Sequence, residues 1–402
     1  MSIADRPTWQ AWVNDACDQV ASAGRWRAPR SFDALGHEGL LRVNQGPVPT
    51  VPVVSFASND YLGLATHPVV VAGARDALER WGAGSGASRL VTGSRPVHHD
   101  LETALADWKG TEAAVVLPTG FAANLSVLSV FASGGTVVHS DELNHASIID
   151  GCRLARAEVR IYPHGDLDRL DAALREAAGR SIVVSDTVFS MDGDAVDLPG
   201  LVEVAARHGA LLVLDEAHAV LGPELEPGTG VDVLRVGTLS KALGSLGGFV
   251  AGPQRFIDLL VNRARPYIFS TAPTPGDSGA ALAALGVLRS PEGVALRERL
   301  GRMVERVAAV VGAVDHGSPI LPLVIGAEDD AIAASATLLE QGLWVPAIRP
   351  PTVPPGTSRL RITLSATHTD EQVGRLMAGL NALIGADGAP TDGPDGGVWH
   401  AA

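Results

Sequence analysis

The chain has 402 residues, 46% of them hydrophobic and 19% charged, enough apolar content for a large core and more than one domain. A formal net charge of −14 argues against a surface for nucleic acid or anionic membrane, both of which need basic patches. Two cysteines, Cys17 and Cys152, give neither a disulfide framework nor metal-ligand spacing, so a reducing cytoplasm and no metal site are expected.

The opening residues, MSIADRPTWQAW, lack the basic region and apolar core of a secretion signal. Residues 1–45 hold a helix and the basic cluster GRWRAPR, with Arg25, Arg27 and Arg30, and read as an arm that packs on something else. ARDALERW reads as a helix, so the glycines of the following WGAGSGAS lack the strand that a dinucleotide site requires and suit a loop that approaches a ligand. LETALADWKG ends a second helix at Lys109, where a cation favours the helix dipole and Gly110 stops it.

From residue 113 the runs AAVVLP, GTVVHS, EVRIYP, SIVVSD, ALLVLDEAH, VDVLRVGTLS and GGFVAG read as strands. Helical patterns such as LDRLDAALREAAG and LPGLVEVAARHG lie between several of them. Continuous apolar strands separated by helices predict a mostly parallel sheet covered on both faces, in a large domain over residues 46–285. The uncharged run 113–138 exceeds a membrane span in length, but Pro118, Gly120, Asn124, Gly134 and Gly135 interrupt it, which suits strand, turn and buried helix. Residues 286–385 change to one long helix and the strands ILPLVIG and SRLRITLS around another helix, a smaller α/β domain. The tail, residues 386–402, is rich in Gly, Pro and Asp and is expected to be disordered.

In open α/β sheets ligands bind beyond the carboxyl ends of the strands, so polar residues that follow apolar runs are the candidates. VVLPTGFAAN is strand, glycine turn and helix start, which aims the N–H groups of Gly120, Phe121 and Ala122 at a phosphate or merely makes a crossover. Asp215 ends a strand, with His218 three residues on; helix cap and structural histidine compete with a shared ligand pocket. His145 precedes a helix, as a residue near a cap or as a ring that stacks on a ligand, and Ser190 follows a strand. Arg359 and Arg361 alternate on one strand face after the proline-rich IRPPTVPPG, either as a solvated pair or as a guanidinium site for a carboxylate.

Only two lysines, Lys109 and Lys241, stand against 29 arginines. A lysine kept in such a chain can do what arginine cannot, namely lose its proton and act as nucleophile or base. Lys109 has a structural reading at its helix end, whereas Lys241 lies among small residues in GTLSKALGSLGG. A phosphate site, a strand-end carboxylate, a stacking ring, a lysine and an arginine together are what pyridoxal 5'-phosphate chemistry requires.

On the runs SFASNDYLGL, GSGASRLVTGS, LPTGFAAN, NHASIIDG, DTVFSMDGD, LDEAH, TLSKALG and IRPPTVPPGTSRLRIT, residues 20–385 resemble the α-oxoamine synthases, a family of fold-type I pyridoxal phosphate enzymes with the aspartate aminotransferase-like fold. The resemblance implies that Lys241 forms the Schiff base with the cofactor and that Asp215 pairs with its ring nitrogen. It further implies that His145 stacks on the ring, that His218 and Ser190 lie near its phenolic oxygen, and that Gly120, Phe121 and Thr238 line it. In YIFSTA, Ser270 or Thr271 would reach the phosphate in the opposite subunit, which implies a homodimer with shared sites. Arg361 would hold the amino-acid carboxylate, Asn59 would line the site, and Thr352 with Arg25 would meet the acyl group. The nearest branch of the family condenses L-alanine with a pimeloyl thioester, on CoA or acyl carrier protein, on the way to biotin. A sister branch using glycine and a short acyl-CoA, an aminotransferase, and a catalytically silent binding protein are the alternatives. One departure is that Ala219 and Val220 follow DEAH, where the family has glycine and a small or polar residue.

Overall fold

A computed structural model describes residues 8–42, 50–313 and 317–386. The stretch expected to be a disordered tail lies, from residue 387 on, outside the described residues. Helix α1 (Trp9–Ser22) precedes the hairpin β1 (Phe32–Ala34) and β2 (Glu38–Arg42), and β3 (Thr50–Ser55) adds to it antiparallel. After α2 (Pro68–Trp81) and α3 (Pro96–Lys109), strands and helices alternate until the last three strands, which follow one another with no helix between. They are β4 (Ala113–Leu117), α4 (Gly120–Phe131), β5 (Val137–Asp141), α5 (Ala146–Ala155), β6 (Glu158–Tyr162), α6 (Leu167–Arg175), β7 (Ser181–Asp186), α7 (Leu198–Arg207), β8 (Leu211–Asp215), β9 (Val233–Thr238) and β10 (Gly248–Gly252).

These seven strands form one sheet in the order β4-β10-β9-β8-β7-β5-β6. Pairing is parallel except at β10, which runs antiparallel to both β4 and β9. Successive side chains of a strand point to opposite faces, and both faces are covered. Ile182, Val184 and Val213 pack with Val127, Leu128 and Ile148 of α4 and α5 on one side. Val183, Leu212 and Leu214 pack with Leu170 and Leu201 of α6 and α7 on the other.

Helices α8 (Gln254–Arg263), α9 (Arg265–Ile268) and α10 (Pro275–Leu288) lead to the long α11 (Pro291–Val311). The C-terminal part comprises β11 (Ile320–Gly326), α12 (Glu328–Glu340), β12 (Leu343–Trp344), β13 (Ala347–Ile348), β14 (Ser358–Thr363) and α13 (Asp370–Ala386). Its antiparallel sheet has the order β11-β14-β13, while β12 leaves it to pair parallel with β3. The sheet of the amino-terminal hairpin is therefore completed by a strand some 300 residues later in the chain.

Lys109 does end α3, and Gly110 takes the left-handed conformation of its cap. Its burial has a further cause. The Lys109 amine lies 2.7 Å from Glu216 Oε2, and Arg235 Nε lies 2.7 Å from the other carboxylate oxygen.

Candidate active site

The carboxyl ends of β7 and β8 place Asp186 and Asp215 side by side in register. Next to them, β4 turns through Thr119 into α4, whose first amides have no acceptor within the helix; the Thr119 hydroxyl caps Ala122 N at 3.0 Å. A Cβ added at Gly120 would stand 3.2 Å from that of Thr238, and one at Gly248 would collide with the Thr119 carbonyl. These glycines let three segments close on one point. There the Thr238 hydroxyl lies 2.7 Å from Ser240 Oγ and donates to Gly247 O at 3.0 Å. Amides at a helix start with two hydroxyls beside them suit an anion.

Asp215 accepts from Asn124 Nδ2 at 2.6 Å and from Ala217 N at 3.0 Å. The same amide nitrogen of Asn124 lies 2.8 Å from Ser147 Oγ, which in turn lies 2.7 Å from His145 Nδ1. His145 is the N-cap of α5, and its backbone N–H donates to Asp186 Oδ2 at 2.7 Å. Burial, reinforced by the charge of Asp215, holds the Asp186 carboxyl well above the usual carboxylate range. Phe121 stands edge-on to the His145 ring at 6.4 Å between centroids. Asn124 Oδ1 is buried with no partner among the described residues.

Lys241 follows β9, and its amine lies 2.8 Å from His218 Nε2. Burial lowers the Lys241 pKa; Asp215 and Asp186 oppose the shift and Arg361 adds to it. His218 is held well below its ordinary value by burial and then by Lys241, Arg361 and His145. Its Nδ1 lies 2.5 Å from the Tyr61 hydroxyl, which donates to Asn59 Oδ1 at 3.1 Å. Arg361 reaches the same Asn59 oxygen from Nη1 and Nη2 at 3.3 and 3.2 Å, and its Nε donates to Ser190 O at 2.6 Å. Just beyond Lys241, Gly244 has φ 59°, and a Cβ there would collide with the backbone of Leu64 and Ala65.

Lys241, His218, Asp215, His145, Phe121, Gly120, Thr238, Asn59, Ser190 and Arg361 are thus linked in one cluster beyond the carboxyl ends of β7, β8 and β9, the place where an open α/β sheet forms its ligand crevice. The solvated-pair alternative for the two strand arginines does not hold: Arg359 and Arg361 are each 6% exposed, and Arg359 pairs with Asp192. Ser270 and Thr271 lie apart from this crevice, beside the loop of Ala87 and Ser88; Thr271 bridges Ser88, and Ala272 N donates to Ala87 O at 2.9 Å. Arg25 pairs with Glu328 at 3.1 Å, and the neighbouring Gly24 carbonyl accepts from Arg349 at 3.0 Å. Thr352 N donates to Arg349 O at 3.0 Å, so Arg25 and Thr352 lie at the same end of the small sheet, beyond the carboxyl ends of β11 and β13. Ala219 and Val220 follow in ordinary backbone, since Arg156 is the one non-glycine residue with positive φ among the described residues.

Sequence reasoning passed over Asp186, Asn124, Ser147 and Tyr61. The rule that singled out Asp215, a polar residue ending an apolar run, applies equally to Asp186 in SIVVSD. Asn124 and Ser147 carry no such signal, because each sits inside a helix and acts only through its neighbour across the crevice.

A family model described as aminotransferase class I and II matches residues 51–380. A protein of Paraburkholderia xenovorans (strain LB400) named 8-amino-7-oxononanoate synthase is 48% identical over 349 residues, which cover 82% of this chain and 89% of that one. One of the same name from Burkholderia mallei (strain SAVP1) is 49% identical over 352 residues, covering 83% and 89%. Among solved structures, Sphingomonas wittichii serine palmitoyltransferase matches with a TM-score of 0.84 at 29% identity, covering 96% of this chain and 99% of that one. An 8-amino-7-oxononanoate synthase from Francisella tularensis matches with a TM-score of 0.70 at 25% identity, covering 83% and 98%.

Proposed function

The chain belongs to the class I and II aminotransferase family and, within it, to the pyridoxal phosphate-dependent α-oxoamine synthases of fold type I; from that premise we propose that it catalyses the 8-amino-7-oxononanoate synthase reaction. L-Alanine and a pimeloyl thioester, on CoA or acyl carrier protein, condense with loss of carbon dioxide and free thiol. The observation that carries this reading is the crevice in which a buried amine of lowered pKa, a strand-end carboxylate and a buried guanidinium converge, in a chain 48% identical to an enzyme of that name.

The residues fit pyridoxal phosphate. The N–H groups of Gly120 and Phe121, with the Thr238 and Ser240 hydroxyls, would hold its phosphate; Asp215, fixed by Asn124, would face its ring nitrogen; the His145 ring would lie against its face; and Lys241 would carry it. When bound, the cofactor supplies a conjugated ring that takes up the electron pair left at the amino-acid Cα.

Arg361 binds the alanine carboxylate through donors that its strand and Asn59 hold in place. Lys241, its pKa lowered, removes the Cα proton, and a neutral His218 beside it accepts a hydrogen bond without adding charge. The Cα carbon then bonds to the thioester carbonyl carbon, the C–S bond breaks, the carboxylate leaves as carbon dioxide, and a proton returns to Cα. His145 serves as acid or as clamp. Thr352 and Arg25 meet the acyl chain, and Ser270 or Thr271 reaches the phosphate of the opposite subunit in a homodimer.

Among the described residues no helix is long and apolar enough to cross a membrane, and both cysteines are free, in keeping with a cytoplasmic enzyme. Incubating the holoenzyme with L-alanine and pimeloyl-CoA tests the reading. One thiol and one carbon dioxide per amino ketone are expected; pyruvate formed without thiol would mark an aminotransferase instead.

A further inference from the structure

The turn that receives Arg361 is also gripped from the far side. His164, just after β6, places Nδ1 3.0 and 3.2 Å from the two carboxylate oxygens of Asp141 and Nε2 2.7 Å from Asp194 Oδ2. Asp141 ends β5 with its side chain fully buried, and it also accepts from Leu143 N at 2.9 Å and Gly165 N at 3.1 Å. The His164 ring stands edge-on to Phe189 at 4.4 Å between centroids. Asp194 closes the turn: Phe189 N donates to Asp194 O at 2.9 Å, and Gly193 N to Phe189 O at 2.8 Å.

The small sheet holds the other side of this turn. Arg361 Nε donates to Ser190 O at 2.6 Å, and Arg359 pairs with Asp192. Gly193 has φ 74°, and a Cβ there would collide with the Ile320 carbonyl, so the turn lies flat against β11. The 190–194 turn is therefore a plate between two anchors, His164 on the large sheet and the β14 arginines on the small one.

We propose that His164 is a positioning residue for the amino-acid carboxylate: by bridging Asp141 and Asp194 it fixes the turn whose Ser190 carbonyl orients the Arg361 guanidinium. The inference rests on the proposed role of Arg361. A guanidinium is planar with its donors in a fixed fork, so the bond at Nε sets the direction of both Nη groups. Burial opposes a charge on His164, but the hydrogen bonds it donates to Asp141 and Asp194 outweigh it and push the pKa up to about 10. The bridge is therefore an imidazolium between two carboxylates. Without it the carboxylates face each other unscreened, and the turn is left with its small-sheet anchor alone.

The test is a spectroscopic titration of the holoenzyme with L-alanine and with L-alaninamide, which keeps the amine and methyl but not the carboxylate charge. Wild type, His164→Gln and Asp194→Asn are compared. The apparent Kd for alanine should rise about 10-fold in both variants, the size of one weakened charge-assisted contact, while that for alaninamide stays within about twofold. An unchanged alanine Kd in either folded variant, or an equal loss for alanine and alaninamide, would overturn the proposal. If His164→Gln does not fold, Asp194→Asn decides. If the wild type responds to glycine or L-serine and not to alanine, the proposed reaction fails, and the comparison is made with that amino acid and its amide.

Discussion

The Lys241 amine and His218 Nε2 lie 2.8 Å apart, with the Tyr61 hydroxyl 2.5 Å from the other ring nitrogen. Because the Tyr61 hydroxyl donates to Asn59, the His218 proton sits on Nδ1 and Nε2 accepts from the amine. Burial lowers the pKa of both groups, the direction that favours a proton-abstracting lysine.

The two lysines should part in their response to substitution. Lys241→Arg is expected to reduce turnover by at least about 10³-fold, since a guanidinium neither links to an aldehyde nor gives up its proton. Lys109→Arg should keep turnover, but its larger head must fit between Glu216 and Trp108, whose ring centroid is 3.7 Å from the present amine. Overpacking of this kind costs about 1–3 kcal/mol. Specific activity and melting temperature of the two variants check this pair of outcomes; equal activities would refute the division of roles.

Arg361→Lys should weaken amino-acid use more than chemistry. Lysine offers a point charge in place of the fork that Asn59 and Ser190 orient, and about 1.5–3 kcal/mol of charge-assisted bonding is at stake. KM for the amino acid is expected to rise roughly 10- to 100-fold with a smaller change in kcat. A fall in kcat at unchanged KM would move Arg361 out of the binding role.

Asn124→Ala removes the donor 2.6 Å from Asp215 Oδ2. Losing a hydrogen bond to a charged group costs about 1.5–3 kcal/mol, so cofactor retention on dialysis should fall about 10-fold or more. Equal retention would mean that Asp215 holds its position without Asn124.

His139 gives a prediction about pH. It is fully buried in β5 with no partner for either ring nitrogen among the described residues, and burial lowers its pKa from 6.5 to about 4. Between those values the unfolded chain binds the proton and the folded chain does not, so this group makes stability fall as pH drops through the window. His139→Leu should flatten that slope and, by removing unsatisfied polar atoms, raise stability at pH 7 by about 1 kcal/mol. Urea midpoints at pH 7 and pH 5 decide, and an unaltered slope would contradict it.

The inner strands of the large sheet were legible because strands buried on both faces read as unbroken apolar runs, as in SIVVSD and LLVLD. The pairing of β3 with β12 was not, since a two-residue strand leaves no periodic signal. Asp215 at a strand end and Gly120 on its turn were visible for the same reason as the strands, whereas Asp186 at the end of the neighbouring strand was passed over. Asn124, Ser147 and His164 were not, because each acts through a partner distant in sequence, and only the folded sheet brings Asp141, His164 and Asp194 together. Lys109 shows the limit from the other side: a helix end was read correctly, while the buried Glu216 that holds the amine lies 107 positions on.

The pairing of substrates defines the reaction. The most direct measurement is thiol release by the holoenzyme across a matrix of L-alanine, glycine and L-serine against pimeloyl-CoA, pimeloyl-acyl carrier protein, acetyl-CoA and palmitoyl-CoA. Release is expected with L-alanine and a pimeloyl donor, matched by carbon dioxide, and little with any other pair. Release confined to glycine with acetyl-CoA, or to L-serine with palmitoyl-CoA, would contradict it.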